Sequence, residues 1–170
     1  SWFLRRRIKQ QVLAEALFEL ARYLRIKADF YDVKHDLASQ FNQLVRQQIV
    51  VADKQQASRD LILRDLHTKQ DGLLVQVHLS MLELYEQVLS THADYALLRQ
   101  HFGESDVMIF LRDLATKAAQ DIESIAYAIT RKKASEPSVN YKAELRAVQF
   151  EMQELALSLI HISEPTRPLY

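Results

Sequence analysis

Residues 82–114, LELYEQVLSTHADYALLRQHFGESDVMIFLRDL, decide how this chain is built. They read as the end of an apolar helix, a polar corner at Ser90, Thr91 and His92, a short helix, a second corner at Phe102, Gly103, Glu104 and Ser105, and the start of another long helix. The alternating period-two runs that strands need are absent here and elsewhere in the chain. With 2 Gly and 3 Pro in 170 residues, tight turns are few. The fold class expected is therefore all-α, a bundle of about five to six long helices with short joints.

Outward from that stretch, helix one is expected over 3–30, with Leu4, Ile8, Val12, Ala16, Leu20, Tyr23 and Ile26 as its buried stripe. Asp36 caps a second helix running to about Leu66, with the stripe Leu37, Phe41, Leu44, Val45, Ile49 and Ala52, then Leu61, Ile62 and Leu66. A joint over 67–72 gives Gly72 the positive φ. Helix three, 73–89, is apolar on more than one side, as central helices are. The helix after the second corner spans 106–131, with Ser105 as its N-cap and Val107, Phe110, Leu114, Ala118, Ile122, Ile125 and Ile129 in register.

Composition bounds the function. A chain that is 48% hydrophobic and 26% charged builds one domain with a real core. Basic and acidic residues number 22 each, so no overall field draws nucleic acid, and no nucleic-acid partner is expected. There are no cysteines, which excludes disulfides, thiolate metal sites and cysteine nucleophiles.

Candidate chemistry is sparse. His35, His67, His78, His92 and His101 form no metal-ligand spacing, and His78 reads as a hydrogen-bonded wall residue. Ser90, His92 and Asp94 supply the residue types of a hydrolytic triad, but without a nucleophile elbow, and they serve equally as helix-end and cap residues. Asp113 with Asp121 and Glu83 with Glu86 lie on charged helix faces. No catalytic, cofactor-binding or metal-binding residue is assigned, no cofactor is implied, and the chain is not read as an enzyme.

The first residues carry a different signal. Arg5, Arg6 and Arg7 oppose the dipole at the start of a helix, and they follow Trp2 and Phe3. An aromatic pair and then three cations is the pattern at the cytoplasmic exit of a membrane helix; the alternative is a frayed first turn with solvated arginines. These five residues are the expected membrane-proximal set.

Ser90-Thr91-His92, Tyr95, Leu97, Phe102, Ser105-Asp106-Val107-Met108 and Arg112-Asp113-Leu114, supported by the passage 21–32 (ARYLRIKADFYD), resemble the soluble domain of the YccS/YhfK-like branch of the fusaric acid resistance (FUSC) family of bacterial inner-membrane proteins. The resemblance spans about Trp2 to Lys133. It departs at Thr91, where the family has Ser, and at Ala93 and Asp94, where an aromatic and Pro are common. It implies a cytoplasmic helical domain over 1–133 at the inner membrane, accessory to efflux of aromatic carboxylic acids or similar compounds. The membrane helices would lie outside this chain, and the partners would be those helices and other domains of the same protein; a homo-oligomer is left open. The alternative is a free-standing helical interaction or regulatory module.

The remaining boundaries are a linker over 134–139, a truncated helix over 140–156, and a stretch over 157–170 set aside as non-native. Its segment LSLIHISEPTR reads as the translation of a sequencing-library adapter.

Overall fold

The computed structural model describes residues 1–131 and 141–163. They form six helices in the order α1 (Trp2–Asp29), α2 (Leu37–Ile62), α3 (Lys69–Ser90), α4 (Tyr95–Phe102), α5 (Asp106–Arg131) and α6 (Tyr141–Ser163), with no strand among the described residues. The all-α bundle expected from the two-corner stretch is what forms. The linker expected over 134–139 lies outside the described residues.

The central helix is α1, not α3. It packs against α2, α3 and α5, and Leu13, Ala14, Ala16, Leu17, Leu20, Ala21, Tyr23, Leu24 and Ala28 are all buried. That buried set is far wider than one stripe, because a helix surrounded on three sides loses its solvent face. Leu4 and Ile8, expected inside, are exposed because the inward face of the first turns of α1 is taken by Arg6, Lys9 and Gln10, which are buried against the α2–α3 joint.

Directions follow from the cross-links. Arg25 bonds Glu123 and Phe18 packs on Tyr127, so α5 runs antiparallel to α1. Gln40 reaches Ile26 and Gln47 reaches Glu19, so α2 is antiparallel to α1 as well. Lys9 bonds Asp71 and Lys27 bonds Val88, so α3 runs parallel to it. One end of the bundle thus holds the start of α1 and the α2–α3 joint. The other holds the α1–α2 joint and the two corners around α4.

The helix ends are chemically specified. Asp36 Oδ2 accepts from the Ser39 amide at 3.0 Å, as expected of a cap. α3 starts at Lys69, four residues earlier than expected, because Thr68 and Asp71 make a reciprocal capping box. Gly72 therefore sits inside a helix, and the positive φ falls on Asp65 (50°) and on Gly103 (53°), which closes α4. The hydroxyl of Ser105 caps nothing: it is buried without a hydrogen-bond partner, and the Ser105 carbonyl accepts from the Met108 and Ile109 amides instead.

Two stripes differ from expectation. On α5 the first half is displaced by one position, with Met108, Leu111 and Ala115 buried and Phe110 exposed. On α2 the expected stripe splits: Leu37, Leu44 and Ile62 pack inward as expected, but Phe41, Val45, Ile49 and Leu66 are exposed, and Gln40, Gln47, Gln55 and Ser58 are buried beside Val51. α6 runs to Ser163, because Leu159 and Ile162 keep the helical period begun by Leu155.

Candidate functional site

At the corner end, the sequence passage 27–32 meets the stretch 82–114. Lys27 is buried, and its ammonium donates to the carbonyls of Val88 at 2.6 Å and Thr91 at 2.7 Å, which closes the end of α3. Phe30 is fully buried and packs on Tyr95 at 4.6 Å between ring centroids. Arg99 on α4 spans the end of α1, donating to the carbonyls of Asp29, Phe30 and His35. Arg112 on α5 reaches Asp32 at 3.2 Å. None of these four cross-links could be read from spacing, since each joins residues more than sixty positions apart.

Ser90, His92 and Asp94 do not assemble a triad. The Ser90 hydroxyl donates to the Gln87 carbonyl, His92 Nδ1 lies 3.2 Å from the Ser90 carbonyl, and Asp94 Oδ1 accepts from the Leu97 amide. Each side chain serves its own helix end. Thr91 is buried and also bonds the Gln87 carbonyl; Phe102 and Val107 are half-buried against the core, and Asp106 opens α5. An open cavity of about 300 Å³ lies beside this corner, lined in part by Tyr31, Lys34, Met108, Ile109 and the Asp32–Arg112 pair. Among the described residues no group of three or more His, Asp or Glu is placed to hold a metal ion. His78 is buried, with Nδ1 2.9 Å from the Ser58 hydroxyl, and burial lowers its pKa.

Lys27 gives the corner a measurable pH response. Burial pulls its pKa down to about 8, whereas an unfolded lysine titrates near 10.4. Between those values the unfolded chain holds a proton that the fold has released, so stability rises with pH across that window. Above about pH 10 the sign reverses, because burial pushes the Tyr23 and Tyr95 phenols up to about 12 and the unfolded chain then loses protons first. Urea unfolding is expected to show a gain on the order of 1–2 kcal/mol from pH 8 to pH 10. The Lys27→Met variant is expected to lack that rise.

At the opposite end, the membrane-proximal candidates divide into two sets. Trp2 and Phe3 are exposed together with Leu4 and Ile8 on α1, and Leu63 and Leu66 are exposed at the end of α2. The cations beside them are tied down. Arg5 pairs with Asp65 at 3.5 Å on the surface. Arg6 is buried, donates to Gln70 Oε1 at 2.6 Å and lies over the Trp2 ring. Arg7 is exposed.

Sequence reasoning missed Lys9, which is buried and donates to the Arg64 carbonyl at 2.6 Å and to Asp71 Oδ1 at 3.4 Å. Asp71 is held in turn by the amides of His67 and Thr68. The only signal for this pair was a lysine off the charged face of α1, which is weak without knowing what lies opposite. The result is a rigid basic and apolar end, with its ring and aliphatic groups pointing away from the core.

A family model described as FUSC-like inner membrane protein yccS matches residues 1–168. No curated protein and no solved structure matches the chain. No helix among the described residues is long and apolar enough to cross a membrane.

Proposed function

Because the chain belongs to the FUSC-like inner membrane protein family, we propose that it is a cytoplasmic, non-catalytic domain of such a protein, accessory to efflux of aromatic carboxylic acids or similar compounds. The observation that carries the reading is the start of α1. Trp2, Phe3, Leu4 and Ile8 are all exposed on a helix whose next turns are the most buried in the bundle, and Arg5, Arg6 and Arg7 stand among them. Aromatic rings followed by cations suit a bilayer interface on its positive, cytoplasmic side. On this reading the membrane-spanning helices lie outside these 170 residues, and α1 carries their motion or their load directly into the centre of the domain.

Sidedness is tested by labelling. The chain has no cysteine, so Glu86→Cys, exposed on α3, provides the one thiol within these residues, in a full-length protein whose cysteines elsewhere are replaced by serine. A membrane-impermeant maleimide is expected to react only after the inner membrane is opened. Reaction in intact spheroplasts would place the domain on the other side. The efflux part is tested by deleting the gene and scoring growth against a panel of aromatic carboxylic acids. Heightened sensitivity is expected, and unchanged growth across the panel removes the transport role.

A further inference from the structure

Helix α2 is apolar on two faces: Val51 and Ile62 are buried against the bundle with Leu37 and Leu44 beside them, and a second apolar stripe faces outward. The face it turns to its neighbours also carries Gln40, Gln47, Gln55 and Ser58, all buried, and it is held there by hydrogen bonds to the Ile26 and Glu19 carbonyls and to His78. The face it turns to solvent carries Phe41, Val45 and Ile49, which are 49%, 59% and 60% exposed. Four-residue steps place these three on one stripe, and the exposed Ala38 and Ala52 extend it in both directions. Phe41 packs one edge on Phe30 and Tyr95, but Val45 and Ile49 are more exposed still, and the three together leave a continuous apolar stripe that suits a second surface.

We propose that this stripe is the contact with a second copy of the same chain, α2 lying antiparallel on α2 about a twofold axis near Ile49. Two features favour a copy over a different partner. The first is charge. Arg46 and Asp53, both exposed, lie two turns apart on the same flank of the stripe. In an antiparallel pair like flanks face each other, so an axis near Ile49 sets Arg46 of each copy opposite Asp53 of the other. The same axis seats Val45 against the small Ala52. The nearer flanking positions, Asn42, Gln48 and Gln56, are uncharged, so no like charges meet.

The second feature is size. Three such side chains with two alanines present a patch on the order of 300–400 Å², about half of the ~800 Å² per partner in a standard stable interface. A surface of that size suits a weak, reversible pairing of identical subunits. It is self-complementary, as a twofold contact has to be.

A trapped disulfide reads a weak contact directly. At a twofold axis, two copies of one side chain approach within the ~6 Å Cα separation that a disulfide spans. In the cysteine-free chain, Ile49→Cys is expected to form a disulfide-linked dimer under mild oxidation several-fold faster than Glu86→Cys, which lies on another exposed surface. Adding Val45→Glu to Ile49→Cys is expected to abolish that excess. Val45 is exposed, so the second change spares the fold, and circular dichroism with an unchanged thermal midpoint checks this. Equal rates at positions 49 and 86 overturn the proposal, and are the result expected if a different protein covers the stripe. An excess at 49 that survives Val45→Glu overturns it equally.

Discussion

Replacing Phe30 by alanine is expected to lower the unfolding free energy by about 3–5 kcal/mol, the range for an aromatic side chain removed from a closed core. Phe30 is fully buried where α1 ends, with its ring 4.6 Å from Tyr95 and 4.8 Å from Phe41. It thereby joins the tip of the central helix to the second turn of α2 and to the short helix between the two corners. Its carbonyl also accepts from Arg99 Nε at 2.9 Å. The cavity left by alanine cannot close by a side-chain shift alone, because the three helices around it are separately pinned by Arg99, Gln40 and Lys27. Denaturant titration measures the loss, and Phe30→Leu is expected to recover most of it. A loss below about 1 kcal/mol would mean that the corner relaxes freely, against the close packing that makes core cavities costly.

The second large effect lies at the other end. Asp71→Ala is expected to cost about 3–5 kcal/mol, because it leaves the buried ammonium of Lys9 without its counter-charge. The carboxylate also accepts from the His67 and Thr68 amides, so the capping box that begins α3 is lost with it. Burial alone would raise the Asp71 pKa, but the Thr68 and His67 amides, the Thr68 hydroxyl and Lys9 outweigh it and hold the carboxyl below its usual range. Its contribution is therefore complete above about pH 4 and is lost as pH falls through the lowered folded value.

The double variant Lys9→Met with Asp71→Leu is expected to be clearly more stable than Asp71→Ala, since an apolar pair of similar volume leaves no charge stranded. If instead the double variant is as damaged as the single one, the capping bonds rather than the ion pair hold this end. Chemical unfolding of the three chains separates these outcomes. The same joint anchors Arg5 and Arg6, so its loss is also expected to loosen the apolar start of α1 on which the proposed membrane-facing role rests.

The particular elements show how far the sequence could be read. The limits of α5 and the caps at Asp36 and Asp94 were legible, because capping and helical period are decided within a few residues. The start of α3 was legible in principle from Thr68 and Asp71, but Gly72 was the louder signal and it misled. The burial of glutamines on α2 in place of Phe41, Val45 and Ile49 was not legible. Phe41, Val45 and Ile49 make the better apolar stripe, and only the carbonyls that α1 happens to present make glutamine the better buried residue at 40 and 47. The Lys9–Asp71 and Lys27–Val88 contacts were invisible for the same reason.

What the sequence determined by itself is local: an all-α chain of five to six helices, the caps at Asp36 and Asp94, the polar corners, and an aromatic-then-basic opening at Trp2 to Arg7. These follow from interactions that act within one or two turns. Tertiary structure alone decided that α1 is the central helix, that Ser90, His92 and Asp94 close helix ends instead of meeting as a triad, and that the stretch 82–114 is held by Lys27, Phe30 and Arg99. Burial and long-range hydrogen bonds depend on what lies across the interface, and no local pattern contains that information.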